Sequence, residues 1–209
     1  MEFDFEKLTS QERYKLLAAT VTPRPIAWVT TLSKEGNLNA APYSFFNVMG
    51  HTPPTIAIGI LPDAKKGVKD TGDNILKQGE FVVNLVSEKL SPKMNITAID
   101  APQGMNELEM AQLETRPSQC VKPPHIAESP VSFECRNLTS LVTGPDQVIV
   151  IGQILSMRIE DEYVADPERF YVDSPALELV GRLHGSGWYT RTKDTFQLDR
   201  PVYADWKSK

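Results

Sequence analysis

The chain has 209 residues, a formal net charge of -5 at pH 7 and 41% hydrophobic residues. That hydrophobic fraction supports a packed core and excludes global disorder, while the mild acidity gives no field that would attract nucleic acid. No apolar run reaches the ~20 residues of a membrane helix, and the charged N-terminus lacks the apolar stretch of a signal peptide. We therefore expect a soluble cytoplasmic protein whose partners include neither nucleic acid nor a membrane.

The first half of the chain predicts one helix, several strands and a second helix. Residues 10–19 are expected to form a helix capped by Ser10. Strands are predicted at 26–32, 38–48, 55–61 and 80–86, with a turn at 34–37 that pairs the first two as a hairpin. A basic loop at 63–70 leads into a short helix that we expect Thr71 to cap and Gly79 to stop.

The second half predicts a helical insertion and a long hairpin. Residues 87–116 are expected to be helical in two pieces broken near 101–104, and the proline-rich segment 117–130 to be extended. Two long strands at 131–142 and 147–159 are joined by a turn at 143–146, and Cys135 alternates within the first of them as a core residue would. The two cysteines are too few for a disulfide framework, and the three histidines are too dispersed for a zinc site.

This order of elements predicts a fold that is mainly β with inserted helices. At least six strands occur without regular strand–helix alternation, which favours an antiparallel barrel over a parallel sheet. We expect one domain spanning 1–209, with the helical insertion around 87–116 and an irregular C-terminal tail around 190–209.

One segment, Ala40 to Asn47, has a composition suited to a flat ligand. Pro42 inside an extended run indicates an edge or a bulge, where backbone N–H groups are released from the ladder. Ala40 and Ala41 leave room for a ring. The alternative is an ordinary strand with Phe45 and Phe46 packed on its two faces.

Two further features could bind an anion. The stretch from Lys65 to Thr71 ends at a helix start, where backbone N–H groups and the helix dipole favour negative charge. Arg24 lies between two prolines, and a rigid flank suits bidentate phosphate contact. The alternatives are a solvated basic turn with a threonine cap and a surface arginine. His184, beside glycines, could line a pocket or be exposed.

Taken together, five segments resemble the flavin reductase-like, FMN-binding split-barrel family, which includes flavoredoxins. They are 22–31 (TPRPIAWVTT), 39–47 (NAAPYSFFN), Pro53-Pro54, 69–71 (KDT) and 79–84 (GEFVVN). The resemblance implies a six-stranded split β-barrel that binds FMN near the interface of a homodimer.

The resemblance also implies the site. Ser44, Phe45, Phe46 and Asn47 would lie along the isoalloxazine and ribityl chain. Thr30 and Thr31, together with Lys69, Asp70 and Thr71, would lie near the phosphate, and His184 and Tyr189 would approach from the C-terminal part.

No catalytic acid, base or nucleophile is expected, because hydride transfer to a flavin is chemistry that the cofactor carries. The function predicted first is an NAD(P)H-dependent flavin reductase, with NADH or NADPH as the hydride donor. The alternative is an FMN-bound electron-transfer protein, flavoredoxin-like, that a protein partner reduces. A non-redox binding module is a third hypothesis. A monooxygenase or another redox protein is the expected acceptor.

Overall fold

The computed structural model describes residues 1–62, 67–102, 104–145 and 147–203. The strands are, in chain order, β1 (Ala27–Leu32), β2 (Leu38–Tyr43), β3 (Phe46–His51), β4 (Pro54–Ile60), β5 (Glu80–Asn84), β6 (Thr115–Arg116), β7 (His125–Ile126), β8 (Val131–Gly144), β9 (Gln147–Ile159), β10 (Val164–Asp166), β11 (Tyr171–Val172), β12 (Val180–Arg182) and β13 (Tyr189–Arg191). The α-helices are α1 (Ser10–Thr20), α2 (Asp70–Gln78), α3 (Ser91–Ile96) and α4 (Glu107–Met110).

Seven strands form one antiparallel sheet in the order β2-β1-β5-β8-β9-β4-β3. β2 and β3 are consecutive in the chain, yet they lie at opposite edges of this sheet. Only Ser44 and Phe45 separate them, so the sheet must curl until its two edges come close. The Gly59 amide of β4 donates to the Phe45 carbonyl at 2.7 Å across this junction. The mainly β fold with inserted helices, curled into a split barrel, is therefore confirmed.

The prediction of one extended segment over 38–48 was wrong. The chain leaves β2 after Tyr43 and begins β3 at Phe46, on the opposite edge of the sheet. The β1–β2 hairpin is confirmed, with Trp28 paired to Pro42. β2 is an edge strand, and its proline removes a backbone donor where no neighbouring strand requires one.

The sheet separates two hydrophobic cores. Because side chains alternate along a strand, Ala27 and Val29 of β1 lie with the inner cluster, while Trp28 packs in the outer cluster. Cys135 is fully buried in the inner cluster, as expected for a core residue. The outer cluster joins β1 to the helical insertion, and the Trp28 indole N–H donates to Thr97 Oγ1 at 2.8 Å.

Both predicted helix caps are displaced. Thr9, and not Ser10, caps α1: its hydroxyl accepts the Glu12 amide, and the Glu12 carboxylate accepts the Thr9 amide. α2 begins at Asp70 with Lys69 as its cap residue. Thr71 lies inside the helix, and its Oγ1 instead accepts from Asn39 Nδ2 at 2.9 Å. The predicted end at Gly79 is confirmed by its left-handed backbone, φ 74°.

The helical insertion forms two pieces as predicted, but they are shorter than the predicted span 87–116. A 3-10 turn at Glu88–Leu90 runs into α3, α4 follows after a break, and β6 already begins at Thr115. The β8–β9 hairpin is confirmed, although Asp146 of its turn lies outside the described residues. Residues 192–202 have no helix or strand. In the part of the chain that the structure describes, no helix is long and apolar enough to cross a membrane.

Candidate functional site

A polar cleft of about 90 Å³ lies where α2 begins. Its walls come from β2, from the first turn of α2, and from the α3–α4 segment of the helical insertion. The lining residues are Asn39, Ala41, Pro42, Tyr43, Lys69, Asp70, Thr71, Thr97, Ala98, Ile99, Asp100, Ala101 and Glu107. The cleft therefore unites the predicted Lys69-Asp70-Thr71 motif with part of the 40–47 segment.

The α2 end of the polar cleft offers donors to an anion. The first N–H groups of a helix have no acceptor within it, and the cap residue Lys69 makes no side-chain hydrogen bond that would shield them. The half-buried Lys69 adds a point charge. Lys65 and Lys66, part of the same predicted motif, lie outside the described residues.

The opposite wall of the polar cleft is acidic and holds two residues that the sequence analysis missed. The Glu107 carboxylate is buried and accepts the Ala40 amide at 3.1 Å. Tyr43 is buried as well, and its hydroxyl has no hydrogen-bond partner among the described residues. Burial raises the pKa of Tyr43, so this hydroxyl keeps its proton. Tyr43 could have been found inside the 40–47 segment, whereas Glu107 carries no local signal.

A second, apolar cleft has a volume of about 330 Å³. Three of the predicted site residues line it, namely Arg24 and the first two residues of β3, Phe46 and Asn47. Its lining residues are Pro23, Arg24, Pro25, Ile26, Phe46, Asn47, Val48, Leu85, Val86, Phe133, Leu179, Val180, Gly181 and Thr192. The 40–47 segment thus connects the polar cleft with the apolar cleft.

The four residues of the SFFN segment differ in their surroundings. Ser44 Oγ accepts from Arg24 Nε at 3.3 Å. The half-buried Phe45 meets the Tyr14 ring edge-on, with centroids 6.1 Å apart. Phe46 belongs to the inner core cluster and Asn47 is exposed. The two phenylalanines therefore occupy different environments, one in the core and one against α1.

Arg24 is a buried structural clamp. Its Nη1 donates to the carbonyls of Ala18 and Val21, both at 2.7 Å, and its Nη2 donates to the Leu183 carbonyl at 2.9 Å. With the bond to Ser44, four of the five N–H donors of a guanidinium are used. Burial excludes the alternative of a surface arginine. The predicted phosphate contact of Arg24 stays a prediction, and these bonds leave it one guanidinium donor where a bidentate contact needs two.

Thr30 and Thr31 are fully buried on β1 and do not line the polar cleft. The Thr30 hydroxyl donates to the Pro124 carbonyl at 2.6 Å, and Thr31 Oγ1 accepts from Asn74 Nδ2 at 3.0 Å. These hydroxyls bind the proline-rich segment and α2 to the barrel. They hold the cleft in place, and the structure does not bring them together with Lys69.

The two C-terminal candidates, His184 and Tyr189, line neither of these two clefts. His184 is exposed and stacks on Trp188, with centroids 6.1 Å apart. Tyr189 is half-buried on β13, and the Arg182 guanidinium lies 4.9 Å from the centre of its ring. Their approach to a flavin stays a prediction.

Comparison with known proteins identifies the family. The model for the flavin reductase like domain matches residues 19–175. An uncharacterised protein of Deinococcus radiodurans is 43% identical over 99% of this chain and 92% of its own length. The crystal structure of nitrilotriacetate monooxygenase component B from Bacillus cereus is 30% identical, with a TM-score of 0.88 over 95% of this chain and 98% of its own. The 2-nitrobenzoate 2-nitroreductase of Pseudomonas fluorescens is 34% identical, with a TM-score of 0.87 over 97% and 98%. The chain belongs to the flavin reductase-like domain family.

Proposed function

We propose that this protein binds FMN and transfers hydride from NADH or NADPH to it as a flavin reductase. The observation that carries the proposal is the polar cleft, which Lys69 and the start of α2 line together with the end of β2. Membership of the flavin reductase-like family supports the same chemistry.

The residues present fit FMN better than an uncharged flavin. Lys69 and the amides of the first turn of α2, which the Lys69 side chain does not cap, suit a terminal phosphate. Ala41 and Pro42 present little side-chain bulk along the path from the cleft to Ser44. When bound, the flavin supplies the hydride-accepting chemistry, and the residues of this chain bind and orient it. With this division of roles, the reaction needs no acid–base residue from the chain.

The relatives support an acceptor outside this chain. The Bacillus cereus protein is component B of a monooxygenase, so a monooxygenase is the partner that we propose first. The Pseudomonas fluorescens protein acts on 2-nitrobenzoate, which is a second kind of acceptor. The flavoredoxin-like alternative, an electron carrier reduced by a protein, stays a prediction.

We propose that a second copy of this chain packs on the exposed edge of the barrel and forms a homodimer. Val48 and Met49 of edge strand β3 are 56% and 58% exposed, and Leu141 and Val142 of the β8–β9 hairpin are 54% and 70% exposed. Apolar side chains beside an open edge favour association. Sedimentation velocity should show a dimer that FMN tightens, and a monomer that holds stoichiometric FMN at every concentration would contradict this.

The phosphate assignment is tested with Lys69→Ala. FMN affinity should fall about ten-fold or more, because a charge-assisted contact is worth about 1.5–3 kcal/mol, while riboflavin affinity should not change. The matched control is Lys77→Ala, since Lys77 lies in the last turn of α2 and pairs with Asp73. Fluorescence titration of apoprotein measures all six affinities. Equal weakening of both flavins by Lys69→Ala would assign Lys69 a structural role.

The hydride donor is tested on the flavin-loaded protein under anaerobic conditions. Addition of NADH or NADPH alone should bleach the visible flavin bands. A flavin that stays oxidised with both nucleotides, yet is reduced by a reducing protein, would favour the electron carrier. A purified protein that binds neither FMN nor riboflavin would exclude both functions.

A further inference from the structure

The helical insertion exposes large apolar side chains beside the polar cleft. Four of them are between 41% and 45% exposed, namely Ile96, Ile99, Met105 and Met110. Single exposed apolar residues are common on protein surfaces, but a concentration of four within residues 96–110 indicates an interaction surface.

A different set of side chains packs the insertion onto the barrel. Met94, Leu108 and Ala111 are buried in the outer cluster, and Thr97 accepts the Trp28 indole N–H at 2.8 Å. These contacts hold the segment in place, so the four exposed side chains contribute little to its folding. Two of the four are methionines, whose flexible and polarisable side chains adapt well to the surface of another protein.

The charged residues among these apolar side chains are all acidic. Residues 94–115 contain no lysine or arginine, and Asp100, Glu109 and Glu114 are exposed. We use the name insertion surface for the four apolar residues together with these three acids.

The basic residues that flank this segment do not cancel its charge. Each of them forms an ion pair with a carboxylate from another part of the chain, in the pairs Lys93–Glu128 and Arg116–Glu160. The insertion surface therefore has an apolar centre with an acidic border.

This combination fits a basic protein. Complementary charges steer two proteins together and set their orientation, while the apolar centre supplies the buried contact. Nucleic acid and anionic membranes would be repelled by the carboxylates. A second copy of this chain fits poorly, because the chain carries a net charge of -5 and a two-fold interface would place each acidic surface against its own copy.

We infer that the insertion surface is the docking site of a basic electron-accepting protein. The inference rests on the proposed function, which places the flavin in the adjoining polar cleft and requires an acceptor outside this chain. Ile99 and Asp100 belong to both the insertion surface and the lining of the polar cleft. An acceptor bound to the surface therefore lies against one wall of the cleft.

Cytochrome c is the probe for this surface, because it is a small, strongly basic electron acceptor. The FMN-loaded protein is reduced photochemically without oxygen and mixed with ferric cytochrome c in a stopped-flow instrument. One reduced FMN gives two electrons to two ferric haems and releases two protons to solvent. The rate constant should fall as salt is added, whereas reduction of ferricyanide, a small anion that needs no docking, should not slow.

Charge and apolar contact are tested by separate variants outside the polar cleft. The double variant Glu109→Lys, Glu114→Lys should reduce cytochrome c about ten-fold more slowly at low salt, because steering is lost. The matched control reverses two exposed carboxylates outside the insertion, Glu162→Lys and Glu168→Lys, and should have a much smaller effect. Met110→Ser should slow the reaction without changing its dependence on salt, since a neutral contact is lost.

A binding measurement keeps the test independent of flavin chemistry. Calorimetry of the protein as purified, at low salt, should show a complex with cytochrome c that the Glu109→Lys, Glu114→Lys variant weakens about ten-fold. If the wild type binds no flavin, the proposed function falls and this calorimetry alone decides the docking site. Equal affinities and rates in the wild type, the double variant and the matched control would overturn the inference and leave the proposed function intact. Dissociation of a dimer by Met110→Ser, seen by sedimentation velocity, would make a second copy the occupant and also overturn it.

Discussion

Substitutions at Arg24 test whether this residue is a buried structural clamp or the phosphate ligand that its sequence context predicts. Two substitutions separate its charge from its geometry. Arg24→Lys keeps a cation but offers at most three donors from one point, whereas the guanidinium serves four acceptors in different directions. Arg24→Met keeps much of the apolar stem and removes every donor.

The expected loss follows from these bonds. Arg24 is 5% exposed, so the carbonyls of Ala18, Val21 and Leu183 gain little water when the guanidinium is removed. A lost bond to a charged group costs about 1.5–3 kcal/mol, which is our expectation for Arg24→Lys. Each buried acceptor left without a donor costs about 1–3 kcal/mol, and at roughly 2–4 °C per kcal/mol for a chain of this size Arg24→Met should melt about 10 °C lower.

Urea unfolding and flavin titration together decide the role of Arg24. A clamp predicts a lower free energy of unfolding and an unchanged ratio of FMN to riboflavin affinity, because neither ligand group is contacted. A phosphate ligand predicts the opposite, with unchanged stability and selective loss of FMN. The second pattern would refute the assignment of Arg24 as a clamp.

Two further predictions concern the barrel and its buried charge. A Cβ at Gly152 would lie 2.5 Å from Phe81 Cζ, so Gly152→Ala should cost roughly 1–3 kcal/mol in urea unfolding. Gly144→Ala, whose Cβ would have nothing nearer than 3.9 Å, is its control, and equal losses would contradict the steric argument. Burial opposes the charge of Glu134, but hydrogen bonds from two backbone amides and His125 hold the pKa of this carboxyl below its ordinary value. The Glu134 carboxylate therefore stabilises the folded protein at pH values above its unfolded pKa, ~4.3. This stabilisation is lost as pH falls through the lower pKa that the group has in the folded protein. Glu134→Gln should lower the free energy of unfolding by about 2–3 kcal/mol at pH 7. It should also make the free energy of unfolding depend less on pH in the acid range. Parallel curves of stability against pH for the wild type and the variant would exclude this role of Glu134.

Local patterns were sufficient for most of the barrel. The β1–β2 hairpin, the end of α2 at Gly79 and the β8–β9 hairpin each depend on neighbouring residues, and each was predicted correctly. The break at Ser44 was not, because 38–48 has one continuous strand-like composition. The break is imposed by closure of the sheet, which moves the chain from one edge to the other.

The lining of the polar cleft was predicted only where its residues are contiguous. Lys69, Asp70 and Thr71 stand together at a helix start, and the structure brings them to one cleft. Glu107 reaches that cleft from a segment more than thirty residues away in sequence, and no spacing rule connects it with Tyr43. The sequence also did not predict which basic side chains are buried. Arg24 and Lys69 are both cations near turns, but the Arg24 guanidinium is the one that donates to three backbone carbonyls.

The wall of the polar cleft is also part of the outer core. Thr97 lines the cleft and accepts the Trp28 indole N–H, while Leu108 beside Glu107 is buried against the same outer cluster. The packing that covers the outer face of β1 thus fixes the position of the acidic wall. A truncation such as Leu108→Ala should therefore weaken ligand binding without touching the ligand, because the cavity it leaves loosens the α4 segment. The helical insertion therefore contributes both to the stability of the barrel wall and to the selectivity of the polar cleft.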